Sequence, residues 1–393
     1  MLNWAARAAR RLGREAAIRG LAPAEDGPAG VRDASEWVAA HTDRGARWLS
    51  APLPAQAPLP PPQTLSAQAS EVFAALEREG RFAPGMVRAG AELAQLPDAR
   101  VVGPDGLVIA SDGLLLREGT WEREKLESSE LLRMRRLPRA RVEHGAHATL
   151  ISAWCDRYFH WITEVLPRIA ILEATGQTGV PLIVPEDLAP WQLRSLELLG
   201  VAERLTPYRG SLRAERLLWP LPVAMSGHVP RWACEWLRRR LAGAPPPAPS
   251  RLLYLARGRG LPRRVANERE VWSLLEARGF ELVNPEALSF DEQIKLFAGA
   301  ACVVAPHGGA LTNLVFSRGA VVVELFEGGY VNPCYYELAA RCDHAYWCLI
   351  GSASAQREVS VDVEQLEATL EAATVRRQDA RRPRRSPRPS PAT

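Results

Sequence analysis

Three stretches of the sequence place polar side chains at spacings that a fold could turn to chemistry. Cys302 to Asn313 reads CVVAPHGGALTN, an apolar run that stops at Pro306 and turns through His307, Gly308 and Gly309. Glycines at such a turn let the backbone approach a ligand closely, and the free N–H groups of a helix start favour phosphate. His307 would add a hydrogen bond or a positive charge to a diphosphate; the alternative is an ordinary turn with a capping histidine. Glu324 closes the next apolar run, VVVEL. A carboxylate there either accepts hydrogen bonds from two ribose hydroxyls or serves buried backbone amides, since a buried Glu requires a partner. Arg257, Arg259, Arg263 and Arg264 follow a third apolar run, and guanidinium groups suit bidentate phosphate contact. Upstream, DRYFHWITEVLPR spans Asp156 to Arg168. Its apolar stripe of Phe159, Ile162, Val165, Leu166 and Ile169 leaves His160 and Glu164, at i and i+4, on the opposite helix face. A carboxylate that orients an imidazole makes a general base; an exposed ion pair is the plain alternative. Pro167 predicts a kink or a helix end close by.

These residues need elements to position them. From 148 onward, short apolar strands alternate with helical patterns, the grammar of a parallel sheet with crossover helices. Strands are predicted at 181–184 and 216–219 with helices at 190–199 and 231–241. A run with four Pro between 244 and 249 marks a break between two α/β domains. Beyond it, strands are predicted at 252–256, 281–283, 302–305 and 321–325, with helices at 268–278 and 291–298. In a doubly wound domain, ligands bind beyond the carboxyl ends of the strands, where the Arg cluster, His307 and Glu324 all fall. Asn267 with Glu270, and Ser289 with Glu292, have the spacing of capping boxes. Before 148, turn signals between 101 and 121 predict a hairpin. The six Pro of 51–62 read as an extended linker or surface strap. Residues 1–21 predict a helix with Arg on one side, and peripheral membrane contact by that face is one expectation.

Composition excludes several classes. The 393 residues carry a net charge of +4, but residues 376–393 hold seven Arg and one Asp, so the rest of the chain stands near −2. A body without a basic excess lacks the footprint of a nucleic-acid binder. No apolar run is long enough for a transmembrane helix. The six Cys form no CxxC pair, which suits buried thiols in a reducing, cytoplasmic setting. No GxGxxG, Walker A, HExxH or Asp-x-Asp motif is present, so a bound metal is not expected.

In their order along the chain, FHWITEVLPR, YLAR with RRVANE, FELVNPEALSFDEQIKLFAGA, HGGALTN and VVVELF resemble glycosyltransferase family 61. This family includes bacterial capsular-polysaccharide-type transferases and is similar to plant xylan and animal protein O-linked N-acetylglucosamine transferases. The likeness runs from about 148 to 350. It implies a GT-B-like α/β fold, with two Rossmann-like domains facing a cleft, and an inverting, metal-independent transfer from a nucleoside diphosphate-sugar without cofactor. It places donor contacts at Arg257, Arg263, Asn267, His307, Gly308, Gly309, Asn313 and Glu324, and acceptor-side chemistry at His160 and Glu164. Asp156-Arg157 stands where bacterial members usually show Gly-Asn, which makes Asp156 a rival base.

The resulting expectation divides the chain into an N-terminal helix and Pro-rich linker (1–62), an acceptor-side domain (63–244) and a nucleotide-sugar-binding domain (250–350). A terminal helix (361–375) and a disordered basic tail (376–393) follow. The expected activity moves a sugar to the hydroxyl of a glycan or lipid-linked glycan in cell-surface or capsular polysaccharide synthesis, at or near the inner face of the membrane. The alternatives are another nucleotide-sugar enzyme of this fold, an epimerase or hydrolase, or an inactive polysaccharide-assembly scaffold.

Overall fold

The computed structural model describes residues 23–381 apart from 55–56, 83–85, 89, 118–133, 135, 245–247, 259–261, 353 and 355–356. The expected helix at 1–21 and the tail beyond 381 lie outside the described residues.

Two sheets organise the chain. In the first, strands Leu205–Tyr208, Leu182–Pro185, Arg141–Thr149 and Ser211–Pro220 run parallel as neighbours. The long strand Gly90–Val102 joins Ser211–Pro220 antiparallel. It continues into Leu107–Ile109 and Leu114–Leu116, the hairpin expected from the turn signals, with Gly30–Arg32 at the edge. Arg47–Pro52 pairs with the other half of Gly90–Val102, and Pro23–Asp26 pairs with Arg136–Pro138 in a separate ribbon.

The second sheet is five-stranded and wholly parallel, in the order Glu281–Val283, Arg251–Leu255, Ala300–Pro306, Val321–Phe326, Ala345–Ile350. The chain therefore reverses its winding direction between Arg251–Leu255 and Ala300–Pro306. Such a switch point opens a crevice at the strands' carboxyl ends. Strands buried on both faces explain the continuous apolar runs read from the sequence. Helices Glu268–Ala277 and Phe290–Ala298 form the crossovers. Ser289 and Glu292 make the expected capping box, with Glu292 N donating to Ser289 Oγ and Ser289 N to Glu292 Oε2.

The result is a two-lobed α/β architecture of the GT-B-like kind, and one apolar cluster runs through both lobes, from Phe73 and Trp161 to Phe297 and Phe326. Residues 57–78 cross from the first lobe onto the second. Gln63 bridges Trp347 in parallel at the sheet edge, and helix Ala67–Arg78 sets Phe73 edge-on against Phe326, Tyr336 and Tyr346. This Pro-rich stretch is thus a strap over the second lobe: Tyr336 Oη donates to Pro60 O. The last helix runs Val363–Arg381, six residues past the end of its amphipathic pattern. No helix among the described residues is long and apolar enough to cross a membrane.

Candidate active site

The helix that carries His160 is shaped by Pro167. An α-helical turn at Tyr158–His160 widens into a π turn at Trp161–Val165, where Leu166 N donates to Trp161 O five residues back. Pro167, which has no N–H to give, then starts the α-helical segment Pro167–Ala174. Widening the turn before a proline absorbs its missing donor and its ring. His160 and Glu164 share a face as their spacing predicts: Nδ1 lies 2.9 Å from Glu164 Oε1. The loop before helix Arg231–Leu237 completes the shell. Gly227 N donates to Glu164 Oε1 at 3.0 Å, and Ser226 Oγ donates to the same oxygen at 3.2 Å. Glu164 thus accepts three bonds, and with Nδ1–H donating, the His160 lone pair is on Nε2. Asp156 sits in the preceding turn with its Oδ2 3.8 Å from Arg157 Nε, and it makes no hydrogen bond to either member of the pair.

Across the interface, the switch point of the second sheet holds Arg257, Arg263 and the His307 turn; Arg259 lies outside the described residues, and Arg264 pairs with Glu358. Arg257 follows strand Arg251–Leu255, and its Nη1 donates to His307 O at 2.9 Å. Its guanidinium fills the space beside Gly308, where a Cβ would stand 1.7 Å from Nη1. Gly308 is extended (φ 169°, ψ 170°), so this glycine is required by space and not by backbone conformation. Gly309 opens the short helical stretch Gly309–Phe316, and a Cβ there would meet nothing within 4 Å. Arg263 has a left-handed backbone (φ 63°), a conformation that costs a non-glycine residue about 1–2 kcal/mol. It is held by its N–H bond to Arg357 O at 2.6 Å and by Tyr330, whose ring lies 5.1 Å below the guanidinium. The Nε atoms of Arg257 and Arg263 are both buried without a hydrogen-bond partner. Burial and, after it, the charge of Arg263 hold the Arg257 pKa below its ordinary value. Two guanidinium groups, each with its Nε out of water and unpartnered, make a place for an anion.

His307 and Glu324 form a buried pair behind this cradle. Glu324 is 0% exposed; its Oε1 lies 2.5 Å from His307 Nδ1, and its Oε2 accepts from Tyr346 Oη at 2.6 Å. Both carboxylate oxygens are therefore engaged within the protein, by His307 and Tyr346. Two further residues of the expected donor set are likewise turned inward. Asn267 Nδ2 donates to Val361 O at 2.9 Å while its Oδ1 accepts from Val361 N at 3.0 Å. It docks the segment before the last helix, and its side chain does not cap Glu268–Ala277 as the box spacing had predicted. Asn313 is fully buried; it accepts from Tyr158 Oη at 2.6 Å and donates to Gln293 Oε1 at 2.9 Å and to Ala310 O at 3.1 Å. It clasps the His160 helix to the second lobe.

The two halves of the site abut. Phe159 meets Tyr335 at 5.7 Å between ring centroids, and Tyr335 meets His307 at 5.1 Å. A further dyad links them: His228 Nδ1 lies 2.6 Å from Glu337 Oε2, joining the loop that holds Glu164 to the helix Cys334–Arg341. Sequence reasoning missed this pair because its members are 109 residues apart; only a histidine one residue beyond the Ser226-Gly227 turn hinted at it. Residues 158–323, which run from the first turn of the His160 helix into the strand of Glu324, match the family model described as Glycosyltransferase 61. Over those residues the chain is similar to the glycosyltransferase 61 family. No curated protein matches the chain. The glycosyltransferase 61 match encloses the His160–Glu164 pair, Arg257, Arg263 and the His307-Gly308-Gly309 turn. Among the described residues, no group of three or more His, Cys, Asp and Glu is placed to hold a metal ion.

Proposed function

We propose that this glycosyltransferase moves a sugar from a nucleoside diphosphate donor to a glycan hydroxyl in a single inverting displacement without a metal. The observation that carries the reading is the convergence of Arg257 and Arg263, each with an unpartnered buried Nε, on the His307-Gly308-Gly309 turn at the sheet's switch point. Guanidinium groups in a desolvated site can stabilise the charge that grows on a leaving diphosphate. His307 adds a hydrogen bond whose direction Glu324 and the ring of Phe326, stacked at 5.3 Å, keep constant.

On the acceptor side, His160 Nε2 takes the hydroxyl proton as the acceptor oxygen attacks the anomeric carbon. The bond from that carbon to the diphosphate oxygen breaks, its electron pair stays on the departing diphosphate, and the configuration at carbon inverts. Glu164 keeps the His160 ring in the tautomer this requires and stabilises the imidazolium that forms. The proton then leaves to solvent.

The test is a thermal-shift screen of UDP, GDP, ADP, CDP, dTDP and their sugars on the wild type and on Arg257→Ala. A ligand at 100 times its Kd adds about 2.7 kcal/mol, enough to raise Tm clearly. The expected result is stabilisation by one nucleoside family in the wild type and its loss in the variant. No stabilisation by any of the five nucleotides or their sugars at millimolar concentration overturns the donor assignment. Consumption of a bound donor without any acceptor would favour a hydrolase or epimerase instead.

A further inference from the structure

Glu327 stands one residue past strand Val321–Phe326, at the carboxyl end where the cradle lies, and the mechanism above leaves it without a role. It is 3% exposed. Gly329 N at 3.1 Å and Ser354 N at 2.9 Å both donate to its Oε1, and no described residue donates to Oε2. Buried polar atoms normally have a partner, so this oxygen calls for a donor that arrives with a ligand. Oε2 can be reached from outside. A Cβ on Gly329, an exposed residue, would stand 3.3 Å from it, so a missing side chain leaves the oxygen uncovered. The same turn joins the carboxylate to the cradle. Tyr330 N donates to Glu327 O at 3.0 Å, and the Tyr330 ring lies 5.5 Å from the His307 ring and 5.1 Å from the Arg263 guanidinium.

We infer that Glu327 Oε2 accepts hydrogen bonds from the ribose hydroxyls of the donor nucleotide. Glu324, with both oxygens engaged inside the protein, does not fill that role. The inference rests on the reading of Arg257 and Arg263 as the diphosphate cradle. A carboxylate repels phosphate, so its partner beside two guanidinium groups must be a hydroxyl or an N–H. The transferred sugar lies toward His160 in the first lobe, where its anomeric carbon is attacked. Glu327 is tied instead to Gly329 and Ser354 of the second lobe, on the nucleoside side of a diphosphate held by Arg257 and Arg263. There the ribose is the group joined directly to phosphate, and the donors it offers are hydroxyls. The plain alternative is a carboxylate that only ties the 327–330 turn to Ser354, and such a tie would not distinguish ribose from deoxyribose.

The experiment is isothermal titration of the wild type and of Glu327→Gln with the nucleoside diphosphate found in the screen, in its ribose and 2′-deoxyribose forms. Gln keeps an oxygen for the Gly329 and Ser354 amides and puts an NH2 group, which cannot accept, in place of Oε2. In the wild type, removing the 2′-hydroxyl should weaken binding about tenfold or more, because hydrogen bonds to charged groups are the stronger ones. Glu327→Gln should weaken the ribose form by about the same factor and bind the two forms within about threefold of each other. A wild type that binds the 2′-deoxy form equally well or better, or a variant that keeps the wild-type discrimination, overturns the proposal and leaves the donor reading standing. A wild type that binds no nucleoside diphosphate in either form overturns both. Should Glu327→Gln fail to fold, Gly329→Ala covers Oε2 and leaves the carboxylate in place; the Gly329 backbone is not left-handed, so it accepts alanine. There too the discrimination should fall to within about threefold, and a ratio kept at the wild-type value overturns the proposal.

Discussion

Arg257 and Gly308 share one space: the guanidinium Nη1 occupies the position 1.7 Å from where a Cβ on residue 308 would be, and bonds the carbonyl of the residue before it. The cradle exists because residue 308 has no side chain. Gly308→Ala must push Arg257 out, since the backbone itself is extended and accepts alanine. We expect at least a tenfold loss of nucleoside diphosphate affinity, about 1.4 kcal/mol, by isothermal titration with the nucleotide found in the screen. Gly309→Ala provides the contrast. Its Cβ meets no protein atom within 4 Å, so thermal stability should stay within a degree or two of the wild type. A loss of affinity in that variant would report contact with the ligand itself.

Asn313 separates clasp from ligand contact. Asn313→Ala leaves Tyr158 Oη without its acceptor and Gln293 Oε1 without its donor, both in the lobe interface. Leaving buried polar groups unmade costs about 1–3 kcal/mol each, so urea denaturation should record a loss of roughly 2–4 kcal/mol. Nucleotide affinity, measured where the variant is fully folded, should remain within about threefold of the wild type. A large affinity loss without destabilisation would return Asn313 to the donor site.

His228 and Glu337 hold the Ser226-Gly227 loop against the second lobe. Breaking a buried pair by removing one partner typically costs about 3–5 kcal/mol, here softened by Arg341, whose Nη2 lies 3.5 Å from Glu337. His228→Ala should therefore lower stability by about 2–3 kcal/mol and loosen the loop that bonds Glu164. Faster hydrogen exchange at the Gly227 amide is the expected signature, and unchanged exchange would separate the dyad from the base.

Acid sensitivity has an identifiable source in His147. Burial lowers its pKa below the ordinary 6.5, outweighing the raising effect of Glu143. The folded state thus binds this proton less readily than the unfolded state. Its contribution is intact above about pH 6.5 and is lost as pH falls below that, at up to about 1.4 kcal/mol per pH unit for one proton. Urea midpoints at pH 7.0 and 5.5 should therefore diverge more in the wild type than in His147→Gln. Equal divergence would place the acid sensitivity elsewhere.

The residues of the site that could be read from the sequence are those whose partners lie within one element or at a strand's end. The i, i+4 spacing of His160 and Glu164 survives because the π turn widens the helix locally without rotating that face away. The strand Ala300–Pro306 and its His-Gly-Gly turn were legible because an apolar run followed by Pro and two Gly admits few other conformations. Asn267 shows the limit: its Nδ2 reaches Glu270 Oε2 at 3.0 Å, yet no cap bond to the helix forms, and both ends of the amide bond Val361, 94 residues away. Tyr346, which takes the second oxygen of Glu324, and Glu337, which orients His228, were invisible for the same reason. A side chain's partner across a fold depends on which elements dock, and no local spacing encodes that.

The strap at 57–78 has a consequence for how the protein is made. Thr64 Oγ1 donates to Cys348 O, 284 residues downstream. At a synthesis rate of about 5–20 residues per second, the ribosome needs roughly 15–60 s to deliver that partner. Throughout that interval the ring partners of Phe73 in the second lobe, Phe326, Tyr336 and Tyr346, and that lobe's edge strand do not yet exist. The second lobe is therefore completed by a piece of chain born long before it. Residues 250–381 expressed alone would emerge with an uncapped edge and a missing aromatic wedge, whereas co-expression with a fragment carrying 57–78 would restore both.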